Sequence, residues 1–465
     1  MSPNGHRFGI ALAITALLPT APLAAADGDL DPTFHGDGRF QTEFGLWGDF
    51  EIADVLAAPD GRLVVSGLNR PEGSAPPRLF WQAIGDAAAT TDDRCELVPL
   101  GGGTDVSGGA TAFDGQGRLL IVGGAVYGGS RRIAIARYLY PACELDDAFD
   151  GDGYATFDLL AGEEFVEDVA VERHGRILLA GAGVSAGHYD ALVVRLLGSG
   201  ALDASFNFVG WTNVDVYTEA ADDFAAAIGT FPGAGALPDP TWVVGYSEDP
   251  DTQPGGGPGT AGFVLKLDAS GQPDLDFGNL PQTGIVRIEM ARWDYLLGGA
   301  FDARGNRLLV TGWGLSGVPP VGQTGGTLCA LDPQYGFFST TLDDDGRMYF
   351  LPFREPEAVA VDGLGRILLA GTNRSTAPEY DFLVYRLLPD GEFDATFSGD
   401  GQLFVDFGVD PDDHDFGRAV ALLPGGVAVA GEAESSLGDP VVGAARLKAA
   451  LLFADGFEWG NLAAW

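Results

Sequence analysis

One short segment recurs seven times along the 465-residue chain, and that recurrence constrains the fold more than any other feature. The copies are GRLVVSG (61–67), GRLLIVG (117–123), GRILLAG (175–181), DPTWVVG (239–245), NRLLVTG (306–312), GRILLAG (365–371) and GGVAVAG (425–431). Their closing glycines fall at 67, 123, 181, 245, 312, 371 and 431, spaced by 56 to 67 residues. Length alone suggests two to four domains at ~100–200 residues each, but a repeat carried through the chain replaces them with one array.

Each period resolves into four short strands. In the copy beginning near 357, strands are predicted at 358–361, 366–370, 382–387 and 402–407, with turn residues between them. The second and third are almost continuously apolar, as strands covered on both faces must be. Seven four-stranded sheets packed face to face around an axis make a seven-bladed all-β propeller; a linear β-solenoid is the competitor. The order of elements at the two ends favours closure. The segment LDPTFHGDGRFQTEF (30–44) is a fourth-strand unit with nothing of its own blade before it, and VGAARL (442–447) is a third strand with no fourth after it. The N-terminal strand is therefore expected to complete the last blade and lock the ring.

Seventy glycines and 46% apolar residues fit this fold and exclude disorder. The formal charge of −40 makes nucleic acid and anionic membranes poor partners, since both require a positive face. Residues 1–26 read as a signal peptide, with an apolar run at 8–18 and small residues at Ala24, Ala25 and Ala26. The sequence thus predicts a propeller over 27–449, a tail motif at 450–465, export to the periplasm or exterior, no transmembrane anchor, and a monomer. Cys95 and Cys143 each open a Cys-Glu-Leu triplet. Equivalent positions on face-packed sheets lie ~10 Å apart, too far for a disulfide, so no bond is expected. Cys329 is expected to be a buried free thiol.

Strand order assigns loops to faces. Connections 1–2 and 3–4 carry stereotyped Asp-Gly turns; connections 2–3 and 4–1 carry the irregular insertions. Function tends to sit in variable loops on a rigid scaffold, which places a ligand on the second face. Its candidate residues are His188, Tyr189, Tyr246, Glu248, Asp249, Asp251 and Trp313. Trp81, Trp242 and Trp313 are read as packing between blades rather than as a sugar platform. On the first face, Asp150, Asp152, Asp343 and Asp345 could hold calcium, but neither run completes a calcium-loop pattern, and turn capping is the simpler reading. No other cofactor is implied. The four histidines beyond residue 26 (His35, His174, His188 and His414) form no metal-ligand spacing, and no nucleophile elbow or phosphate loop is present. A non-enzymatic scaffold binding an unknown protein or glycan at the cell exterior is the leading expectation. The alternative is a propeller hydrolase or lyase using carboxylates at the central channel.

The repeats resemble the delta-60 repeat family of bacterial exported proteins. The matches are Gly175 to Gly181 and Gly365 to Gly371, the pairs Tyr385-Arg386 and Arg137-Tyr138, and the units Leu30 to Phe34, Leu145 to Gly153, Leu202 to Phe206 and Phe393 to Gly401. The resemblance implies a propeller and assigns no reaction. The C-terminal segment, Leu452 to Glu458 with Trp459 and Trp465, resembles a short terminal motif of exported proteobacterial proteins.

Overall fold

The computed structural model describes residues 27–449 except 43–47, 72–75, 87–92, 98–102, 218–220, 233–237, 250–258, 279–282, 291–292, 316–323, 353, 376–378, 409–413 and 435–439. The signal-peptide and tail-motif expectations lie outside the described residues.

Among the described residues, twenty-eight strands form seven antiparallel blades. Blade 1 is β2 (Gly48–Ala57), β3 (Leu63–Pro71), β4 (Arg78–Ile84) and β5 (Asp93–Leu97). Blade 2 is β6 (Thr104–Phe113), β7 (Leu119–Tyr127), β8 (Ser130–Tyr138) and β9 (Tyr154–Phe157). Blade 3 is β10 (Glu164–Val171), β11 (Ile177–Ser185), β12 (His188–Leu196) and β13 (Trp211–Val214). Blade 4 is β14 (Asp222–Thr230), β15 (Thr241–Asp249), β16 (Gly259–Leu267) and β17 (Ile285–Ile288). Blade 5 is β18 (Trp293–Asp302), β19 (Arg307–Leu315), β20 (Thr324–Leu331) and β21 (Arg347–Pro352). Blade 6 is β22 (Arg354–Val361), β23 (Ile367–Asn373), β24 (Asp381–Leu387) and β25 (Gln402–Val405). Blade 7 is β26 (Phe416–Leu423), β27 (Gly426–Glu434) and β28 (Pro440–Lys448), completed by β1 (Arg39–Thr42) from the start of the chain.

Closure is carried by β1 on β28, in register from Arg39↔Ala445 to Thr42↔Val442. Around it, Asp31 pairs with Arg446 at 3.0 Å and Asp27 reaches Arg386 of blade 6 at 2.7 Å. Apolar side chains fill each junction between consecutive blades. The seam between blades 7 and 1 is no exception: Phe34, Ala428 and Val442 pack with Ile52, Val65 and Phe80.

The repeat signature has two physical origins. Each inner strand carries a β-bulge, and the closing glycine of the neighbouring second strand lies directly against its carbonyl. A Cβ on Gly67, Gly123, Gly181, Gly245, Gly312, Gly371 or Gly431 would come within 1.8–2.1 Å of that oxygen. These glycines are required by close approach rather than by a turn. The L-D-x-x-F unit folds back over its own third strand. Arg137, Arg195 and Arg386 are buried there, each bonded to the unit's aspartate (Asp146, Asp203, Asp394) at 2.8–2.9 Å. Each guanidinium lies 4.6–4.8 Å from the unit's phenylalanine ring (Phe149, Phe206, Phe397). Ion pair, ring and strand bury one another, so the arginine is neutralised without reaching water.

One expectation is corrected. Cys95 and Cys143 form a disulfide, with Cα atoms 5.4 Å apart. The two triplets do not occupy equivalent positions. Cys95 sits within the fourth strand of blade 1, opposite Trp81, whereas Cys143 lies in the turn that follows the third strand of blade 2. That turn reaches across to the neighbouring blade, and its Tyr140 ring sits 5.9 Å from the Trp81 ring. Cys329 is a buried free thiol.

Candidate functional site

The bulges that demand the glycines also build the channel. A bulge leaves one residue without a ladder partner and re-aims its side chain. The register skips Ala53 in β2, Glu167 in β10, Ala226 in β14, Leu297 in β18, Glu357 in β22 and Arg418 in β26. All six line one cavity of about 540 Å³, joined by Glu51, Gly108, Phe165, Phe224 and Tyr246 among others. The cavity draws on the early halves of the inner strands, which sit toward the face of the 2–3 and 4–1 connections.

Its two sides differ in chemistry. Over blades 3 to 5 runs a continuous arc of half-buried rings. Ring centroids are 5.7 Å apart from Phe165 to Tyr189, 5.6 Å from Tyr189 to Phe224 and 5.3 Å from Phe224 to Tyr246. The arc continues at 4.9 Å to Tyr295 and 4.7 Å to Trp313. Over blades 6, 7 and 1 the wall is ionic. Arg418 binds both oxygens of Glu357 at 2.8 and 2.9 Å and Glu432 at 2.9 Å. Glu432 in turn accepts the Ile52 amide of blade 1 at 2.6 Å, tying the ionic cluster across the closing seam. Glu51 pairs with Arg70 at 2.7 Å.

Burial pulls the Arg418 guanidinium down, but the charges of Glu357 and Glu432 outweigh it and hold its pKa above the ordinary value. Glu357 and Glu432 are both raised by burial, against the opposing charge of Arg418. Glu167 makes no hydrogen bond or ion pair among the described residues. Although the residue is open to the channel, crowding around its carboxylate, then the charge of Glu51, pushes its pKa up to about 7 against the opposing charge of Arg131. Beside the bulges, Asp54 and Asp168 are raised to about 7 and about 6, chiefly by burial. Both have structural work that explains their presence. Asp54 accepts the Thr111 hydroxyl of blade 2 at 3.1 Å, and Asp168 accepts the Ile228 amide of blade 4 at 2.8 Å, so each stitches one blade to the next.

Of the residues singled out in the sequence, the structure brings Tyr189, Tyr246 and Trp313 together in the arc. His188 stands beside it, its Nε2 3.3 Å from Asp190, and Glu248 is exposed at the end of β15. Asp249 closes β15, and Asp251 lies outside the described residues. Trp81 and Trp242 are buried between blades; Trp313 is instead half-buried at the end of the arc. On the opposite face, Asp152 accepts the Tyr154 amide at 3.3 Å. Asp345 accepts the Arg347 amide at 2.9 Å and pairs with its guanidinium. Asp150 and Asp343 adopt left-handed backbone in the same turns. Among the described residues, three acidic groups converge within 4.8 Å at Asp190, Asp215 and Asp223, a cluster the sequence did not reveal. Asp223 there accepts the Val216 amide at 2.7 Å and Asp190 the Asn213 amide at 2.6 Å. Sequence inspection also missed Glu167, Glu357 and Arg418. A signal for them existed: Ala53, Glu167 and Glu357 each stand fourteen residues before a closing glycine.

A sequence family described as a domain of unknown function (DUF5122) beta-propeller matches residues 175–206 and 365–397, the two copies that carry GRILLAG. It supports a propeller repeat. No curated protein matches. Similar solved structures include the polysaccharide lyase Uly1 (8% identity, 83% of this chain and 88% of that one, TM-score 0.43). Others are a PL25 ulvan lyase (12%, 88% and 96%, 0.45) and the α-L-arabinofuranosidase Arb93A from Fusarium graminearum (10%, 75% and 95%, 0.43). At these identities and TM-scores no activity is inferred from them. Fold and site together define a seven-bladed propeller with a ligand-sized cavity at the mouth of its channel.

Proposed function

We propose that this protein is an exported binding propeller that holds its ligand at the channel mouth, with repeats of the delta-60 type. The observation that carries this reading is the convergence of Phe165, Phe224 and Tyr246, three rings of the arc, with bulge-borne Glu167, Glu357 and Arg418 on one cavity. Rings set beside placed charged groups in one cavity give a small ligand or a sugar unit both a surface to stack on and groups that fix its orientation. A ring of structural residues alone would have no need of an unpaired carboxylate. The Cys95–Cys143 bond supports export, because disulfides persist in oxidising compartments.

A second reading, a hydrolase or lyase, is favoured by one specific observation. Glu167 has a pKa of about 7, so at neutral pH it is divided about equally between carboxylic acid and carboxylate, the poise that suits a general acid. One experiment separates the two. The protein is dialysed to equilibrium against a mixture of oligosaccharides and small metabolites, and both compartments are read by mass spectrometry. A binder concentrates an unchanged solute; an enzyme depletes one and yields new masses. Tyr246→Ala and Trp313→Ala should abolish either effect. Retention that is equal in wild type and in both variants would refute the site.

A further inference from the structure

We propose that the ligand of the channel mouth is an organic cation, bearing an amine or quaternary ammonium group held between the aromatic arc and Glu167. This rests on the channel mouth being the binding site and adds the chemical class of what binds there.

The inference starts from an imbalance of partners. The basic side chains at the ionic wall are already committed. Arg418 is held by Glu357 and Glu432, Arg70 by Glu51, and Arg131 by Asp105 at 2.8 Å with Ser107 at 2.9 Å. An anionic ligand would have to displace an acidic partner from one of them. The carboxylate of Glu167 has no such partner among the described residues, and it faces the same cavity as Glu51 and Glu357. Glu167 is open to the channel, and the positive charge that acts on it, Arg131, is already paired with Asp105, so its carboxylate is available to a bound cation.

The aromatic wall points the same way. Phe165, Phe224 and Tyr246 line the cavity, and Tyr189, Tyr295 and Trp313 extend the same curved surface. Aromatic rings attract alkylammonium groups through the negative potential of their faces, and three of them border this cavity. A neutral sugar could stack on these rings, but it would gain nothing from the charge of Glu167. Outside the cavity, the formal charge of −40 draws cations toward the protein and repels anions. Three independent features, namely paired bases, an unpaired acid and a ring arc, therefore select the same sign of ligand.

The test is isothermal titration of the full chain with choline and with 3,3-dimethyl-1-butanol, its uncharged isostere, in ~0.1 M salt. Spermidine, glucuronate and cellobiose are titrated alongside. Choline or spermidine should bind saturably, and the isostere at least roughly tenfold more weakly. Glu167→Gln and Tyr246→Ala should each weaken the cation roughly tenfold while both variants keep the strand circular dichroism and a cooperative melt. Equal binding of choline and its isostere, tighter binding of glucuronate, or an unchanged Kd in Glu167→Gln would overturn the cationic class. If cellobiose alone binds and Tyr246→Ala abolishes it, the site stands and the cation falls. Silence from every probe would overturn both.

Discussion

Replacing Gly371 with alanine should destabilise this protein, although the same change in most strands does the opposite. Gly371 has ordinary strand backbone, and glycine to alanine at such a site usually stabilises by about 0.4–1 kcal/mol through the unfolded chain. Here the new Cβ would lie 2.0 Å from the Glu355 carbonyl oxygen and 2.5 Å from the Pro356 Cα. Neither atom belongs to a side chain that could swing aside, so relief requires roughly 1 Å of movement between two paired strands at the bulge that places Glu357. Overpacking of cores costs ~1–3 kcal/mol, and a backbone-on-backbone clash sits at the upper end, about 3 kcal/mol. With an unfolding entropy near 2.1 cal/mol/K per residue over roughly 420 residues, that is a fall of about 3 °C in Tm. Scanning calorimetry reads it directly. Gly181→Ala, whose clash is with the Phe165 carbonyl at 2.1 Å, should behave alike. The two sites are on different blades, so the double variant should fall about twice as far. An unchanged or raised Tm in Gly371→Ala would refute the close-approach account of the repeat.

Three further outcomes follow from the geometry. Arg386→Ala would remove the buried guanidinium that Asp394 and Asp27 share and empty the space over the Phe397 ring; breaking a buried pair costs about 3–5 kcal/mol, measurable in urea titrations. Reducing Cys95–Cys143, or Cys95→Ser, should cost about 4 kcal/mol from a sequence separation of 48, seen as a lower urea midpoint with reductant that is absent in the serine variant. For pH, Asp54 and Asp168 have folded pKa values of about 7 and about 6, above the ordinary value of 3.8. The folded state therefore binds more protons than the unfolded one between these limits. Stability from these groups is full below pH ~4 and is lost as pH rises through 6–7; Asp54→Asn should flatten that slope in denaturation series from pH 4 to 8.

The parts of the fold that repeat were legible in the sequence. Gly371 and its equivalents, and the L-D-x-x-F units, recur because each solves the same contact in every blade, so they stand out on self-comparison. Closure was legible for the same reason, as an orphan fourth strand at 30–44 and a third strand at 442–447. The channel was not. Its residues occupy one repeat position, but that position is where the blades differ: Ala53, Glu167, Ala226, Leu297, Glu357 and Arg418 include small, apolar, acidic and basic side chains. The bulge also breaks the period-two alternation that would have marked their direction. The arc was hidden because its members come from first, second and third strands of three blades, so no sequence window contains it. Tyr189, Tyr246 and Trp313 were found through their loops rather than through their neighbours. The disulfide was misread because two matching triplets were taken as matching positions, when one lies in a strand and the other in a turn.

Every wall of the cavity depends on the ring being closed, and amide hydrogen exchange measures that directly. The account predicts that the β1 amides and the Ile52 amide, which bonds across the seam to Glu432, exchange at the slow rate of β27 and β28, through global opening alone. Exchange of β1 and Ile52 within seconds, while β27 and β28 stay protected, would contradict it.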